Sequence, residues 1–186
     1  MRQSRFLELH CDPQNQPQGT TMSQPDPIQT AIDSLLAGQE PDLSAMLVTA
    51  EDFGIFLLAV EDRYLAAMET DKEEDADAAH NLVMELLLSV YSNHEEEEET
   101  KECLKELKKS LGGNKELDED AIAAGVDACE DVESLLLSLG CTAQLLMQVG
   151  EAMEAGKNTR KNEVLSNNAS NHLDFGMQAL RDILAD

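Results

Sequence analysis

At 186 residues with 42% apolar content, the chain is long enough to bury one sizeable core. Only 3% of it is aromatic and tryptophan is absent, so that core must come from Leu, Ala, Val, Ile and Met, which suits helices better than a sheet. The 13 basic and 38 acidic residues give a formal net charge of −25 and a pI near 4.2, which argues against nucleic acid and anionic membrane as partners, both being held mainly through Lys and Arg.

The first stretch, MRQSRFLELHCDPQNQPQGTTMSQPDP, has no apolar run long enough for a secretory signal. Its Gln, Pro and Thr content reads as a disordered tail or extension over residues 1–25, with Met22 as a second candidate start, and the domain proper is expected over 26–186. Cys11, Cys103, Cys129 and Cys141 form no CxxC pair and read as reduced thiols of a cytoplasmic protein. Cys103 and Cys129 are placed on apolar helix faces, as small hydrophobes.

Asp26 followed by Pro27 marks a helix start, and Gly38 ends that short helix. Thr49 with Asp52 three residues on predicts a capping box opening a longer helix to about Thr70. Phe53, Phe56, Val60, Tyr64 and Met68 on one face, with Ile55, Leu58 and Leu65 on another, predict a central place in a bundle. Asp71 is expected to cap the next helix, in which Ala76, Ala79, Val83, Leu86, Leu87 and Val90 keep the helical period.

The run EEEEE at residues 95–99 is then explained as the first turn of a helix carrying Cys103, Leu104, Leu107 and Leu111. Anions suit a helix N-terminus, and Lys105, Lys108 and Lys109 suit the other end. Glu97/Lys101 at i,i+4 and Glu98/Lys101, Glu102/Lys105 and Glu106/Lys109 at i,i+3 add small gains along it. Beyond Gly112-Gly113, one helix is predicted with Ile122, Val126, Cys129, Val132, Leu136 and Leu139 as its stripe, broken at Gly140. A further helix follows with Leu145, Leu146, Val149 and Met153, then the polar linker KNTRKNEVLSNNASN, then a last helix with Leu173, Met177, Leu180 and Leu184. The uncharged stretch Ser134 to Gly150 is too short and too polar for a span and reads as buried helix.

Motifs for chemistry are sparse. Asp77 and His80 at i,i+3 are half of a two-metal pattern whose other half is missing at His94 and His172, so no metal and no cofactor is expected. There is no G-x-S-x-G, P-loop or dinucleotide turn, and DEDAIAAGVDACED lacks the ligand alternation of a calcium loop. Glu116/Glu119 and Glu130/Glu133 have the spacing with which helical nucleotide pyrophosphohydrolases hold magnesium, which keeps a metal-dependent enzyme of that kind as the alternative. Against it, no basic residue lies between Glu116 and Gly156 to meet phosphates.

The strongest remaining feature is regional charge. Residues 116 to 156 hold ten acidic residues and no basic one, whereas residues 157 to 186 balance four against four. The expectation is therefore a single all-α, up-and-down-type bundle of six or seven helices with a disordered N-terminal tail, non-enzymatic, binding a basic protein partner. Its contact residues are Glu116, Asp118, Glu119, Asp120, Asp127, Glu130, Asp131 and Glu133, helped by the glutamate turn through Glu95, Glu96 and Glu97. Inhibitor, immunity protein, nucleic-acid mimic, chaperone and adaptor all fit, and a homo-oligomer is compatible with each. A solvated acidic face without a partner is the plainer reading of the same charges.

Overall fold

The computed structural model describes residues 26–185; the tail expected over residues 1–25 lies outside them. Among the described residues all regular structure is helical: α1 (Pro27–Leu36), α2 (Ala50–Glu69), α3 (Glu73–His94), α4 (Glu98–Leu111), α5 (Glu119–Val126), α6 (Val132–Glu154) and α7 (Arg160–Ala185). The expected all-α bundle is what the chain forms.

Local chemistry explains most of the boundaries. The Asp26 side chain accepts from Ile28 N–H at 3.0 Å with proline at the first position, and Thr49 and Asp52 form the reciprocal capping box of α2. Gly38 and Gly156, at φ 72° and 79°, close α1 and α6 with the paired hydrogen bonds of a left-handed stop. Asp71 plays that same part at φ 52°: its N–H donates to Met68 O and Lys72 N–H to Ala67 O. Asp71 thus ends α2 instead of capping α3, whose preceding residue Lys72 makes no side-chain cap. A short polar side chain tolerates the left-handed region better than a branched one, which lets aspartate stand where glycine usually does.

The helix stop predicted at Gly140 lies elsewhere. The chain breaks at Asp127–Asp131, and α6 runs unbroken through Gly140. Asp131 accepts from Ser134 N–H at 2.8 Å while Ser134 Oγ receives the Asp131 N–H at 3.2 Å, a capping box that starts the helix at Val132, well before the predicted break. At Gly140 a Cβ would stand 3.0 Å from Leu87 O and 3.1 Å from Tyr91 N, so the missing side chain is what lets α3 cross this closely.

From Arg160 onward, the polar stretch expected as a linker to the last helix also belongs to a helix, the first turns of α7. Asn168, fully buried, explains why: its Nδ2 donates to Leu111 O at 2.8 Å and its Oδ1 accepts from Leu117 N–H at 3.0 Å. One amide side chain thereby ties the α4–α5 connection to α7.

The centre of the bundle is α6, which packs on α2, α3, α4 and α7 and buries Leu135, Leu136, Leu139, Ala143 and Leu145 among others. By length and composition α6 could cross a membrane, but most of its apolar window is buried inside the bundle. Its neighbour α2 is less central than its apolar residues predict: Phe56, Leu57 and Val60 are buried, whereas Ile55, Leu65 and Met68 are exposed. A smaller cluster of Leu107, Leu111, Cys141, Leu145, Val149 and Ala169 docks α4 onto α6 and α7.

Candidate functional site

The glutamate run divides between a turn and a helix. Glu97 N–H donates to His94 O, Glu97 occupies the cap position of α4, and only Glu98 and Glu99 lie in its first turn. Lys101 pairs with Glu98 at 3.6 Å and Glu96 at 3.8 Å rather than with Glu97, whose Oε1 lies 3.1 Å from His94 Nδ1. The expected Glu102–Lys105 and Glu106–Lys109 pairs form, at 2.9 and 3.2 Å. All are exposed.

A cleft of about 610 Å³ opens where the N-terminal ends of α2, α4 and α6 meet α3. Leu47, Phe53, Val90, Leu136 and Leu137 supply its apolar surface, and Glu97, Glu99, Asp131 and Glu133 its carboxylates, with His94 as the one side chain there that can become cationic. Each helix N-terminus carries roughly half a positive charge, so three of them offset only part of four carboxylates and the cleft stays negative. The Asp131 carboxyl is held below the usual aspartate range because it accepts from the Ser134 backbone N–H and lies beside its hydroxyl.

The predicted contact residues do not share one site. Glu97, Asp131 and Glu133 line this cleft, and Glu99 joins them. Glu95 and Glu96 stay exposed on the α3–α4 turn. Asp118 caps α5 by accepting from Ala121 N–H at 2.9 Å, with Glu119 and Asp120 exposed in the first turn behind it. Asp127 ends α5 and Glu130 is exposed in the connection to α6. Glu116 is occupied by α7, accepting from Asn167 Nδ2 at 3.2 Å and lying 3.5 Å from Arg160.

The carboxylates that magnesium chemistry would need are likewise separated. Glu133 lines the cleft while Glu116 faces α7, and among the described residues no group of three or more His, Cys, Asp or Glu is placed to hold a metal ion. Asp77 and His80 are exposed, and the His80 ring rests against Tyr64 with centroids 5.5 Å apart. Cys129, expected on a helix face, sits half-buried in the α5–α6 connection; Cys103 is half-buried on α4 and Cys141 fully buried on α6. The chain matches no protein-family model, no characterised protein and no solved structure.

None of the cleft's apolar residues is marked as a site residue by the sequence, and two of them show why. Phe53 reads as a core residue from its spacing, yet it is half-buried and forms cleft wall. Leu47 stands outside any periodic segment, in the α1–α2 connection, so no pattern marks it.

Proposed function

We propose that this chain is a non-catalytic binding protein whose acid-rimmed cleft receives a basic, partly apolar segment of a protein partner. The observation that carries the reading is the pairing of Glu97, Glu99, Asp131 and Glu133 with Leu47, Phe53, Leu136 and Leu137 in one opening. The carboxylates steer and orient a cationic segment, and apolar side chains bordering them supply the desolvated contact that steering alone does not. A nucleic-acid mimic fits less well. Its carboxylates should run in rows, whereas here several of the acidic residues cap helices or pair with cations of the same chain. Among the candidate classes the arrangement favours the chaperone or adaptor type, which holds a segment in a groove.

The test is recovery of a partner from native lysate at about 50 and about 500 mM salt, where the screening length falls severalfold. The intact protein is compared with Glu97→Gln/Glu99→Gln/Glu133→Gln and with a control, Glu119→Gln/Asp120→Asn/Glu130→Gln, that removes as many charges outside the cleft. A basic protein retained at low salt by the intact chain and the control, but not by the cleft variant, is the expected result. Equal loss in both variants would reduce the cleft to a bystander of overall charge.

A further inference from the structure

A second cleft, about 440 Å³, lies among α4, α5, α6 and α7 and differs in kind from the first. Its walls are apolar, with Leu107, Leu111, Ile122 and Leu137 prominent, and its volume falls within the roughly 300–1,000 Å³ of small-molecule sites. One buried polar group lines it without being satisfied. His172 is 2% exposed; its Nε2 lies 3.2 Å from Ser138 Oγ, while its Nδ1 has no hydrogen-bond partner. Buried nitrogen atoms are rarely left so, because the lost water is not replaced.

Gly125 supplies a second, independent observation. It stands inside α5, where glycine is a poorer helix former than alanine, and it lines the same cleft. A Cβ at this position would meet only the His172 ring edge, at 3.8 Å from Cε1 and 3.9 Å from Nδ1, which is ordinary contact. Nothing steric therefore demands the glycine. Its effect is to leave the Nδ1 edge of the ring without a side chain over it; because Nδ1 itself exposes less than 1 Å², a ligand reaches it only with a small outward shift of α5.

The mouth of the cleft carries Glu99 and Glu106 and no cationic side chain, which disfavours an anionic ligand. Burial pushes the His172 imidazole below its ordinary value, so near neutrality it presents an uncharged ring able to make one more hydrogen bond. We infer that this cleft is a binding site for an uncharged small molecule with an apolar body and a single hydroxyl or carbonyl group, which pairs with His172 Nδ1 while the body packs on Leu107, Leu111, Ile122 and Leu137. Cys103 and Cys129 border the same space and serve as reporters of its occupancy.

The test uses the whole chain with 1-octanol as probe and octanoate as its anionic match. Two signals are followed: the ¹⁵N resonance of His172 Nδ1, and the rate at which iodoacetamide alkylates Cys103 and Cys129. Octanol is expected to shift the nitrogen saturably and to slow both alkylations by about tenfold at ten times its dissociation constant. Octanoate should need at least about tenfold more ligand for the same shift. Gly125→Ala, which keeps the fold by the contact distances above, should lose both responses to octanol. Absence of a saturable Nδ1 shift in the unmodified protein, or an equal response in Gly125→Ala, overturns the assignment, as would octanoate binding as well as octanol.

Discussion

The two clefts border one another along the start of α6, with Glu99, Ser134 and Leu137 in the walls of both, yet they place polarity in opposite ways. In the first, the charged groups stand at helix ends in contact with water, where the dipole favours a carboxylate and, at Asp131, a capping bond adds to it. In the second, the decisive polar atom is an uncharged ring nitrogen beneath apolar walls, where lack of a partner is costly. One chain thus presents a surface suited to a cation and a pocket suited to a neutral body. Because they share a wall, perturbing one and watching the other is the direct way to learn whether they act separately.

The largest separation should come from Gly140→Val. Even a bare Cβ there lies 3.0–3.2 Å from α3 atoms, so the branched side chain must push α3 outward, with a loss of about 3 kcal/mol in urea or thermal unfolding. α3 lends Ser89, Val90, Asn93 and His94 to the first cleft and nothing to the second. Partner capture should fall while the octanol response survives wherever the variant stays folded. Loss of both together would make the two clefts one cooperative unit.

Salt should divide them next. Raising ionic strength from about 50 to about 500 mM is expected to weaken binding of a basic segment at least tenfold, or about 1.4 kcal/mol, by screening exposed carboxylates. The same change should leave the octanol affinity within about twofold, since burial of apolar surface gains slightly from salt. Titration calorimetry at both salts measures the difference directly.

The contrast between the clefts is also a contrast in what the sequence makes visible. Caps and dipoles are local, so Asp26 with Pro27, Thr49 with Asp52, and the glutamates at the start of α4 can be read from near neighbours, whereas the equally local Asp131–Ser134 box of α6 is masked by an apolar period that runs across it from Ile122 to Leu139. The pocket is made by contacts between distant segments: Ser138 meets His172 across 34 residues, and Asn168 reaches Leu111 across 57. Polar residues such as Asn168 look like linker until their tertiary partners are known. Gly140 misleads for a related reason, since helix propensity weighs against glycine while a close crossing with α3 requires it.

Protonation offers a smaller lever with a definite sign. Burial depresses His172 below its ordinary 6.5, so the unfolded chain binds the proton more readily than the folded one. The stability tied to the neutral ring is full above pH 6.5 and drains away as pH falls from there toward the depressed folded value, by up to about 1.4 kcal/mol per unit of depression. Asp131, depressed from 3.8, loses its contribution only in the acid range below that value. Denaturation midpoints between pH 7 and 5 should therefore drop in the unmodified protein and stay level in His172→Gln by comparison; equal slopes would remove His172 as the cause.

Gly125→Ala should have the smallest effect on the fold and the most selective one on function. Alanine in place of a helical glycine reduces the freedom of the unfolded chain, and the new methyl group meets the His172 edge at 3.8–3.9 Å without overlap, so a gain of about 0.5–1 kcal/mol is expected. The same methyl group covers Nδ1 and abolishes the octanol response, while salt-dependent capture of a basic partner at the other cleft stays intact. A more stable protein with one lost binding activity is the signature of a glycine kept for a ligand. Destabilisation by the same substitution would show instead that α5 needs the glycine for packing, and the bare edge of His172 would then be a by-product of the fold.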